Sequence, residues 1–580
     1  MADTRTPDQK AKDIEKTLDC LIKIRKPYEP MIDEVLRYVN HGRRLITDTA
    51  FSRGQKTGID VYDGTAISAL NLLTDGICGY SVSKSYRWFS YTLPGKTNFP
   101  RWSIMRRWSG KRMDEYPQVK EWLADVEEVM YAAYLRSNFY DVISEMVRDA
   151  ASVGTVTPIA EEDVGSGRIV FTVPHFREIY IAEDRFGSVN TRYRVYSLSL
   201  RQMADKFGLE KMMEVDQNFK DKYEKNPFEE MEIIHAVYPR SDFNPEAYNA
   251  ENKPVASMWV LRSPLKLLLE SGYDERPIMS WRWRKNSDEI YGRSPSWDAY
   301  VDIMKANQQG KDNLIAAHKI VDQPIIAPED LRGKINKGAG GMTFMDRSLM
   351  KDMGPRQLYA SGINLPYAVD QQERTDKILN DHFYVGFFLM LWQAAMNKVE
   401  LTATQVVEMA GEKAAILGVR IGRQESELLN PVHDRSFSIE NKAGRIPEPP
   451  QILAEYGGRS IEIDYLGPLA QAQKKIYKSQ SIRSGLQAVS EVSQTYPDAA
   501  LVIDHMGALR DLLDAQGFPV NRFRSEEEIK QILALKQREE EAQRTLQEGI
   551  EVAKVLPKGS KKAEAGSPLD MLVNPEGEGR

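Results

Sequence analysis

The chain has 580 residues and a mass of 66.1 kDa, which excludes a single small module and predicts about three to five domains. Apolar residues make up 42% and charged residues 28%, a globular mix that excludes collagenous, mucin-like and wholly disordered classes. With 78 basic and 84 acidic residues the formal net charge is −6, so no long-range positive field would attract nucleic acid or an anionic membrane.

The chain contains only Cys20 and Cys78, too few for a disulfide framework or a cysteine-based zinc site, which predicts synthesis in a reducing cytoplasm. The longest near-continuous apolar run, residues 383–392, is much shorter than the ~20 residues of a membrane-spanning helix. The first residues, MADTRTPDQKAKDIEK, lack the apolar core of a signal peptide. We therefore expect a protein that is neither secreted by that route nor anchored.

The first half of the chain changes its hydrophobic period once. From residue 7 to about 153 apolar residues such as Ile14, Leu18 and Leu21 recur at helical spacings, which predicts an α-rich region. Between 154 and about 286 the period is two, with turn signals between the segments. This predicts an antiparallel β region with a short helix near residues 200–213.

A helical pattern returns near residue 294. Ser294 suits the N-cap and Pro295 the first helical position. One apolar face follows, made of Trp297, Val301 and Met304. Residues 307–313, NQQGKDN, are polar on every side, which leaves two alternatives open. Either two short helices join at Gly310, or one long helix has a middle that meets water on one side and polar neighbours on the other.

The pattern beyond this helix predicts a small β-containing insertion at 321–365 and a second helix from about 366 to 390. The next ten residues, LWQAAMNKVE, are predicted to form a loop, because Thr402 and Gln405 have the spacing of a capping box that would begin a new helix. A charged helix is predicted from about Ser525 and a disordered terminus from residue 557.

The common motifs of catalysis and cofactor binding are not found. The stretch closest to a phosphate-binding loop, residues 333–341, has Ala339 where the lysine should stand. Seven histidines are scattered singly, without an HExxH motif. His318 and His382 lie on the two predicted long helices and could approach each other, but a structural role is the simpler interpretation. We expect no cofactor and no metal.

Two patterns admit a nucleic-acid interpretation beside a structural one. Asp298 with Asp302, or Asp376 with Asp381, could hold a metal for a nuclease, whereas helix dipoles and ordinary composition explain such pairs more simply. The run 281–284, WRWR, could be a stacking platform for bases. In a strand its tryptophans point one way and its arginines the other, so a half-buried strand is favoured.

Long stretches of the sequence match one known family in family order, from about residue 15 to 535. They are YDGTAISALNLLTDGICGYSVSKSYRWFSYTL (62–93), FREIYIAEDRFGSVNTRYRVYSLSLRQMADKFG (176–208), IYGRSPSWDAYVDIMKANQQGKDNLIAAHKIVDQPIIAP (290–328), LTATQVVEMAGEKAAILGVRIGRQESELLNPVHDRSFSI (401–439), IEIDYLGPLAQAQK (461–474) and GFPVNRFRSEEEI (517–529). On these stretches the chain resembles the head-to-tail connector, or portal, proteins of short-tailed bacteriophages.

The resemblance implies an α+β fold, mainly α, whose copies form a ring, usually of twelve subunits, at one capsid vertex. DNA would enter through this ring during packaging and leave through it at infection. The implied parts are a wing at 1–289 (helices to about 153, then an antiparallel β region at 154–289), stem helices at 290–322 and 366–390, a clip at 323–365, a tunnel loop at 391–402, a tunnel-loop helix and return to the wing at 403–474, crown helices at 475–555 and a disordered tail at 556–580.

The resemblance also places the candidate functional residues. In the tunnel loop, Lys398 is the candidate for a transient phosphate contact and Glu400 for its repelling partner, the alternative being an ordinary exposed loop. An acidic or balanced stem is expected of a channel through which DNA must slide. The remaining candidates are Gln393 and Asn397 in the tunnel loop, Lys305, Lys311, Asp370, Glu373 and Arg374 in the stem, and Arg332, Lys334 and Lys337 in the clip, where partners would dock.

The implied partners are double-stranded DNA bound without sequence specificity, major capsid and scaffolding proteins, a terminase that supplies the ATP-driven force, and later tail adaptor proteins. The implied location is the capsid vertex of the virion and, during assembly, the host cytoplasm, with no membrane contact. Because no nucleotide site is found, we expect no motor in this chain, and the resemblance implies a protein that is not an enzyme. Two alternatives remain: a metal-dependent DNA-processing enzyme, and another structural virion protein such as a tail adaptor, which the chain length disfavours.

Overall fold

The structure is a computed structural model of the chain. It describes residues 5–43, 45–48, 57–93, 116–241, 243, 249–321, 325–326, 332, 356–357, 365–396, 417–451, 453, 461–467, 485–487, 489–490, 507, 509, 529 and 532, and of 321, 325–326, 356–357, 365 and 391–396 it describes the backbone alone. The chain divides into two compact units, Met1–Phe518 and Pro519–Arg580, and every element named below belongs to the first.

Helices form most of the described first 153 residues and return after Ser294. Local sequence sets their ends: Thr6 begins the first with a capping box, in which its hydroxyl accepts the Gln9 backbone N–H at 3.3 Å. Gly154, whose φ is 96°, ends the fifth. The helices are α1 Pro7–Arg25, α2 Glu29–Tyr38, α3 Thr65–Ser81, α4 Pro117–Arg136, α5 Phe139–Val153, α6 Leu200–Phe207, α7 Leu209–Val215, α8 Phe219–Lys225, α9 Pro295–Asp298, α10 Tyr300–Val321, α11 Leu365–His382 and α12 Val385–Met396.

A further helical stretch follows in the last third of the chain. Residues 417–424 are helical and lead through a π-helical turn, Glu425–Leu429, into helix α13, Asn430–Lys442. Two short 3₁₀ turns lie elsewhere in the described chain, at Phe176–Glu178 and Ala250–Asn252.

Strands concentrate between residues 155 and 282. They are β1 Phe89–Thr92, β2 Thr155–Val156, β3 Ile159–Asp163, β4 Arg168–Thr172, β5 Ile179–Glu183, β6 Val189–Ser199, β7 Glu230–Pro239, β8 Val255–Leu261, β9 Lys266–Tyr273, β10 Trp281–Arg282, β11 Ile325–Ile326, β12 Arg356–Gln357 and β13 Glu462–Tyr465. Strands β5 to β9 form one antiparallel sheet in sequence order. The other described strands pair two by two: β1 with β13, β2 with β10, β3 with β4, and β11 with β12.

The five-stranded sheet is covered on both faces. Helix α1 packs on one face through side chains that include Leu18, which joins a cluster with Ile234 and Val260. Helices α6 to α8 pack on the other face around Ile233 and Trp259. The largest hydrophobic cluster lies outside this sheet, among α3, α4, α5, α11 and α13, and buries Trp88, Tyr134 and Phe139 almost completely.

The structure is mixed helix and strand, which confirms the α+β class with a majority of helix. The α-rich first region is confirmed, with the difference that β1 lies within it and pairs with the distant β13. The antiparallel region after residue 154 is also confirmed, but the one helix expected at 200–213 is a row of three, α6 to α8, which reaches Lys225. Gly208, with a φ of 87°, separates the first two.

The helix predicted at 366–390 is not one helix. Helix α11 ends at His382, and α12 begins at Val385 after a turn in which Tyr384 has a φ of 57°. This is the one non-glycine residue with a positive φ in the described chain, and such a residue cannot continue a right-handed helix. The hydrophobic periodicity does not reveal this break, because the buried residues Phe383 and Phe387, one on each side of Tyr384, keep a helical spacing of four.

The loop predicted at 391–402 is wrong for its first six residues. Helix α12 continues to Met396, so Gln393 lies in a helix. The segment LWQAAM has high helix propensity and contains no glycine or proline that would end a helix, so α12 continues through it. Residues 397–402, the capping box and most of the predicted crown lie outside the described residues.

Within the described residues, no helix is both long enough and apolar enough to cross a membrane.

Candidate functional site: a pair of long helices

Helices α10 and α11 lie side by side and run antiparallel. Near one end the Asn313 side-chain amide donates to Gln372 Oε1 at 2.6 Å. At the other end His382 Nε2 lies 3.4 Å from Asp302 Oδ2. The pair brings together the two segments in which the resemblance places the stem.

The start of this region is fastened to helix α5. Ser294 Oγ accepts the Trp297 N–H at 3.1 Å and donates to the Ser152 carbonyl at 2.7 Å. Ser296 Oγ donates to the Ala151 carbonyl at 2.9 Å. Ser294 as N-cap and Pro295 as first helical residue of α9 are thereby confirmed. Helix α10 starts two residues after α9 ends, so the helical axis is set by contacts with the core.

Helix α10 runs unbroken through Gly310, so the single-helix alternative is correct. Its polar middle contacts residues 57–63, which we call the strap. Asn307 Oδ1 accepts the Tyr62 N–H at 2.7 Å, and Asn307 Nδ2 donates to the Asp60 carbonyl at 3.1 Å. A Cβ added to Gly310 would lie 2.9 Å from the Tyr62 carbonyl oxygen. The glycine therefore allows the strap to cross the helix closely.

These contacts supply the polar neighbours expected on one side of the helix middle. Asn307 and Asn313 bind polar groups of their own chain, and Lys311 Nζ lies 5.5 Å from the centre of the Tyr62 ring. The apolar face expected for this helix is wrong in part. Ile303 and Ala306 are buried, whereas Val301 is 75% exposed.

The outward face of α11 carries a row of charged side chains. They are Asp370, Glu373, Arg374, Lys377 and Asp381, and their charges sum to −1. Arg374 Nη2 lies 3.0 Å from Asp370 Oδ2. Such an exposed i,i+4 pair contributes only about 0.3–0.5 kcal/mol to stability, so this row is not there to hold the fold together.

The outward face of α10 mixes apolar with charged side chains. One exposed row recurs at three- and four-residue spacings and consists of Val301, Lys305, Gln308, Asp312, Ile315 and Lys319. Further exposed apolar side chains on the two helices are Leu314, Ile320, Tyr367, Val369 and Ile378. An isolated surface helix rarely exposes so many apolar residues together, so this surface has the composition of an interface.

The stem candidates fall into two groups. Asp370, Glu373 and Arg374 lie together on the exposed face of α11. Lys305 is exposed on α10, whereas Lys311 contacts the strap as described above.

Most of the candidate residues of the tunnel loop and the clip lie outside the described residues. Gln393 lies in α12, and Arg332 is an exposed turn residue between β11 and β12 along the chain. The candidates outside the described residues are Asn397, Lys398, Glu400, Lys334 and Lys337.

The acidic pairs do not form a metal site. Asp298 receives both Nη atoms of Arg284, at 2.7 and 2.8 Å, and Asp302 pairs with His382. Burial, and then the nearby carboxylate of Asp63, raises the pKa of Asp376. Asp381 is five residues further along the helix and so cannot share its face. In the part of the chain that the structure describes, no group of three or more metal-ligating residues occurs.

The histidine pair is not formed either. His382 contacts Asp302, whereas His318 lies sixteen residues along α10 from Asp302, about 24 Å of helix.

The WRWR run is a buried strand and not a base-stacking platform. Trp281 and Trp283 are buried in the largest cluster. Arg282 is 3% exposed and binds Glu427 through Nε at 3.2 Å and Nη2 at 2.7 Å, with a further bond to Glu183. Local sequence patterns do not indicate these glutamates, because they lie about 100 and 145 residues away along the chain.

Comparison with known proteins decides the family. The family model described as "Bacteriophage head to tail connecting protein" matches residues 11–523. The chain belongs to this family. It is 28% identical over 471 residues to the "Portal protein" of Salmonella phage epsilon15, covering 80% of this chain and 79% of the relative. It is also 28% identical over 447 residues to the "Probable portal protein" of Bordetella phage BPP-1, covering 75% of this chain and 74% of the relative.

Membership confirms the resemblance and the connector function that it implies. The family is structural, which confirms that this connector is not an enzyme and removes the nuclease alternative. Connectors act in phage head–tail assemblies, which implies that this chain assembles with copies of itself and with capsid and tail proteins. The assignment of wing, stem, clip, tunnel loop and crown stays a prediction.

Proposed function

We propose that copies of this connector close into a ring, usually of twelve subunits, at one vertex of the capsid. Double-stranded DNA passes through the ring during packaging and ejection. The wing, stem, clip and crown occupy the ranges given by the resemblance, and the tunnel loop follows helix α12, which ends at Met396. The observation that carries the proposal is the exposed surface of α10 and α11, which combines apolar side chains with a charged row.

The apolar part of this surface supports assembly. Val301 and Ile315 lie fourteen residues apart on the same exposed row of α10, and each leaves apolar area in water in the single chain. Burying such area stabilises by about 25 cal/mol per Å². A contact between unlike faces of neighbouring copies closes into a ring when the rotation is a whole fraction of a turn. We propose that this row contacts the next subunit.

The charged part supports passage of DNA. A duplex carries one negative charge per about 1.7 Å of its axis, so a densely basic lining would hold it through counterion release. The exposed row of α11, with a net charge of −1, would attract phosphates only weakly. We propose that this row lines the bore, with Asp370, Glu373 and Arg374 nearest the duplex and Lys398 making brief contacts.

Docking is proposed at the clip. Arg332 is exposed, and with Lys334 and Lys337 it would offer a basic surface to a terminase during packaging and to tail adaptor proteins afterwards. Capsid and scaffolding proteins would contact the wing.

The test is to introduce a charge into the apolar row. Ile315→Asp and Val301→Asp should prevent ring formation, because a carboxylate buried at a subunit contact loses its hydration. The measurement is light scattering after gel filtration, with negative-stain microscopy of the same fractions.

The matched control is Val164→Asp, at a β3–β4 turn residue that is 86% exposed. This variant should assemble like the unmodified chain. An unmodified chain that stays monomeric under every assembly condition, or an Ile315→Asp and Val301→Asp chain that forms normal rings, would contradict the proposal.

A further inference from the structure

The helix of residues 417–442 contains a turn of unusual width. The Asn430 N–H bonds to the Glu425 carbonyl, five residues back, in place of the α-helical four. π-helical turns of this kind are rare, and many of those that occur lie at functional sites. A specific local cause is therefore expected.

The cause is Pro431, which directly follows Asn430 inside the helical stretch. In an α-helix the partner of the Glu427 carbonyl would be residue 431, but proline has no N–H and its ring clashes with that carbonyl. The wider turn moves the proline ring away from the position in which an α-turn would press it against that carbonyl.

The side chain of Glu427 lies within this turn and holds distant parts of the chain together. Its Oε2 accepts the backbone N–H of Arg282 at 2.9 Å and its Oε1 accepts Nη2 of the same residue at 2.7 Å. Arg423, one turn earlier, donates to Oε1 at 2.8 Å. Arg282 itself is buried and also binds Glu183 of β5. Together with the bond from Arg282 Nε, three charge-assisted bonds and one backbone bond converge on a single carboxylate.

We infer that Pro431 is a positioning residue, which acts through Glu427. By forcing the wide turn it aims the carboxylate at Arg282 and sets the direction of the helical stretch 417–424, whose Leu417 and Ile421 are buried in the largest cluster. The inference goes beyond the proposed ring and does not depend on it, because all contacts lie within one chain.

A double-mutant cycle tests the inference. Glu427→Gln in the unmodified chain should lower the melting temperature by about 5 °C, because it leaves buried Arg282 without its main countercharge. Pro431→Ala restores the N–H and allows an α-turn, which rotates Glu427 away from Arg282. In the Pro431→Ala background, Glu427→Gln should therefore lower the melting temperature by less than about 1 °C.

The test includes a control at a separate ion pair and a milder variant at this turn. The control is Glu270→Gln, on strand β9, where Glu270 binds Arg240 at 3.0 Å. It should lower the melting temperature by the same amount in both backgrounds. If Glu427→Gln fails to fold, Arg423→Gln replaces it, because Arg423 is partly exposed and binds the same oxygen. Equal losses in the two backgrounds, from either variant at this turn, would overturn the inference. The cycle is measured on the purified chain, so failure of ring formation would count against the proposed function alone.

Discussion

His433 is a buried histidine, and it shows how burial changes the titration of a single residue. It is 1% exposed and its Nδ1 lies 3.1 Å from both the Tyr91 and the Tyr134 hydroxyls. Trp88 and Phe89 pack against its ring. Burial lowers the pKa of His433 to about 3, so the imidazole is neutral in the folded protein.

The stability of the protein should therefore fall in mild acid. The unfolded chain takes up a proton at His433 below a pKa of about 6.5, whereas the folded chain does not until about pH 3. Stability is thus present above pH 6.5 and is lost as the pH falls through this window, by about 2 kcal/mol between pH 7 and pH 5. Chemical denaturation at a series of pH values measures this.

The matched variant is His433→Asn, which keeps a polar atom near the two hydroxyls but does not titrate. Its stability should depend less steeply on pH between 7 and 5. Burial also lowers the pKa of His235, so some dependence of the same sign should persist. An unchanged slope in His433→Asn would contradict this account.

At the scale of the element, α10 shows how a helix can be polar on every side and still be part of the core structure. Asn307 satisfies two backbone groups of the strap, which a helix made only of apolar and charged residues could not do. Gly310 costs helix propensity and in return permits close contact with the strap. Periodicity alone could not identify the strap, because it lies about 245 residues earlier in the chain.

Two glycine-to-alanine changes separate these effects. Gly310→Ala should lower the free energy of unfolding by about 1–3 kcal/mol, because the new Cβ would lie 2.9 Å from a backbone oxygen. Gly422→Ala, where an added Cβ meets no atom within 4 Å, should raise it by up to about 1 kcal/mol. Urea denaturation measures both, and a stabilised Gly310→Ala would show that the strap yields easily.

At the scale of the whole molecule, the acidity of the chain fits the proposed passage of DNA. The formal net charge is −6, and in the described helix α11 the basic Arg374 is paired with the acidic Asp370. Weak, sequence-independent attraction is then the expected mode of DNA contact.

If α11 lines the bore of the proposed ring, reversing its charge should make the ring retain DNA. Asp370→Lys with Glu373→Lys changes the exposed row from −1 to +3 in every copy, so affinity for duplex DNA should rise and its salt dependence should steepen by about 0.9 per added phosphate contact. Mobility shift of short duplexes at several salt concentrations measures both quantities.

The same change of charge elsewhere provides the control. Glu210→Lys with Glu214→Lys, at exposed positions of α7, should leave both the affinity and its salt dependence nearly unchanged. If the two double variants bind DNA alike, the α11 row does not face the duplex.

Much of the candidate site was open to prediction from sequence. Ser294 and Pro295 mark the start of the helical region because capping and proline geometry are local effects. The WRWR run predicts a half-buried strand; a strand is found at Trp281–Arg282, but Arg282 is buried as well because Glu427 and Glu183 bind it. The break at Tyr384 and the helix to Met396 were missed, since neither a left-handed residue nor a continued helix was marked by a glycine, a proline or a change of period.

The amino-acid sequence by itself determined the family, the helix-then-sheet-then-helix order and the acidic charge, because each depends on residue identity and spacing along the chain. Only the tertiary structure decided what Asn307 binds, where Glu427 points and which side chains of α10 and α11 stay in water. The physical reason is that these outcomes depend on groups brought together across 100 to 250 residues, and short-range periodicity does not encode such distances.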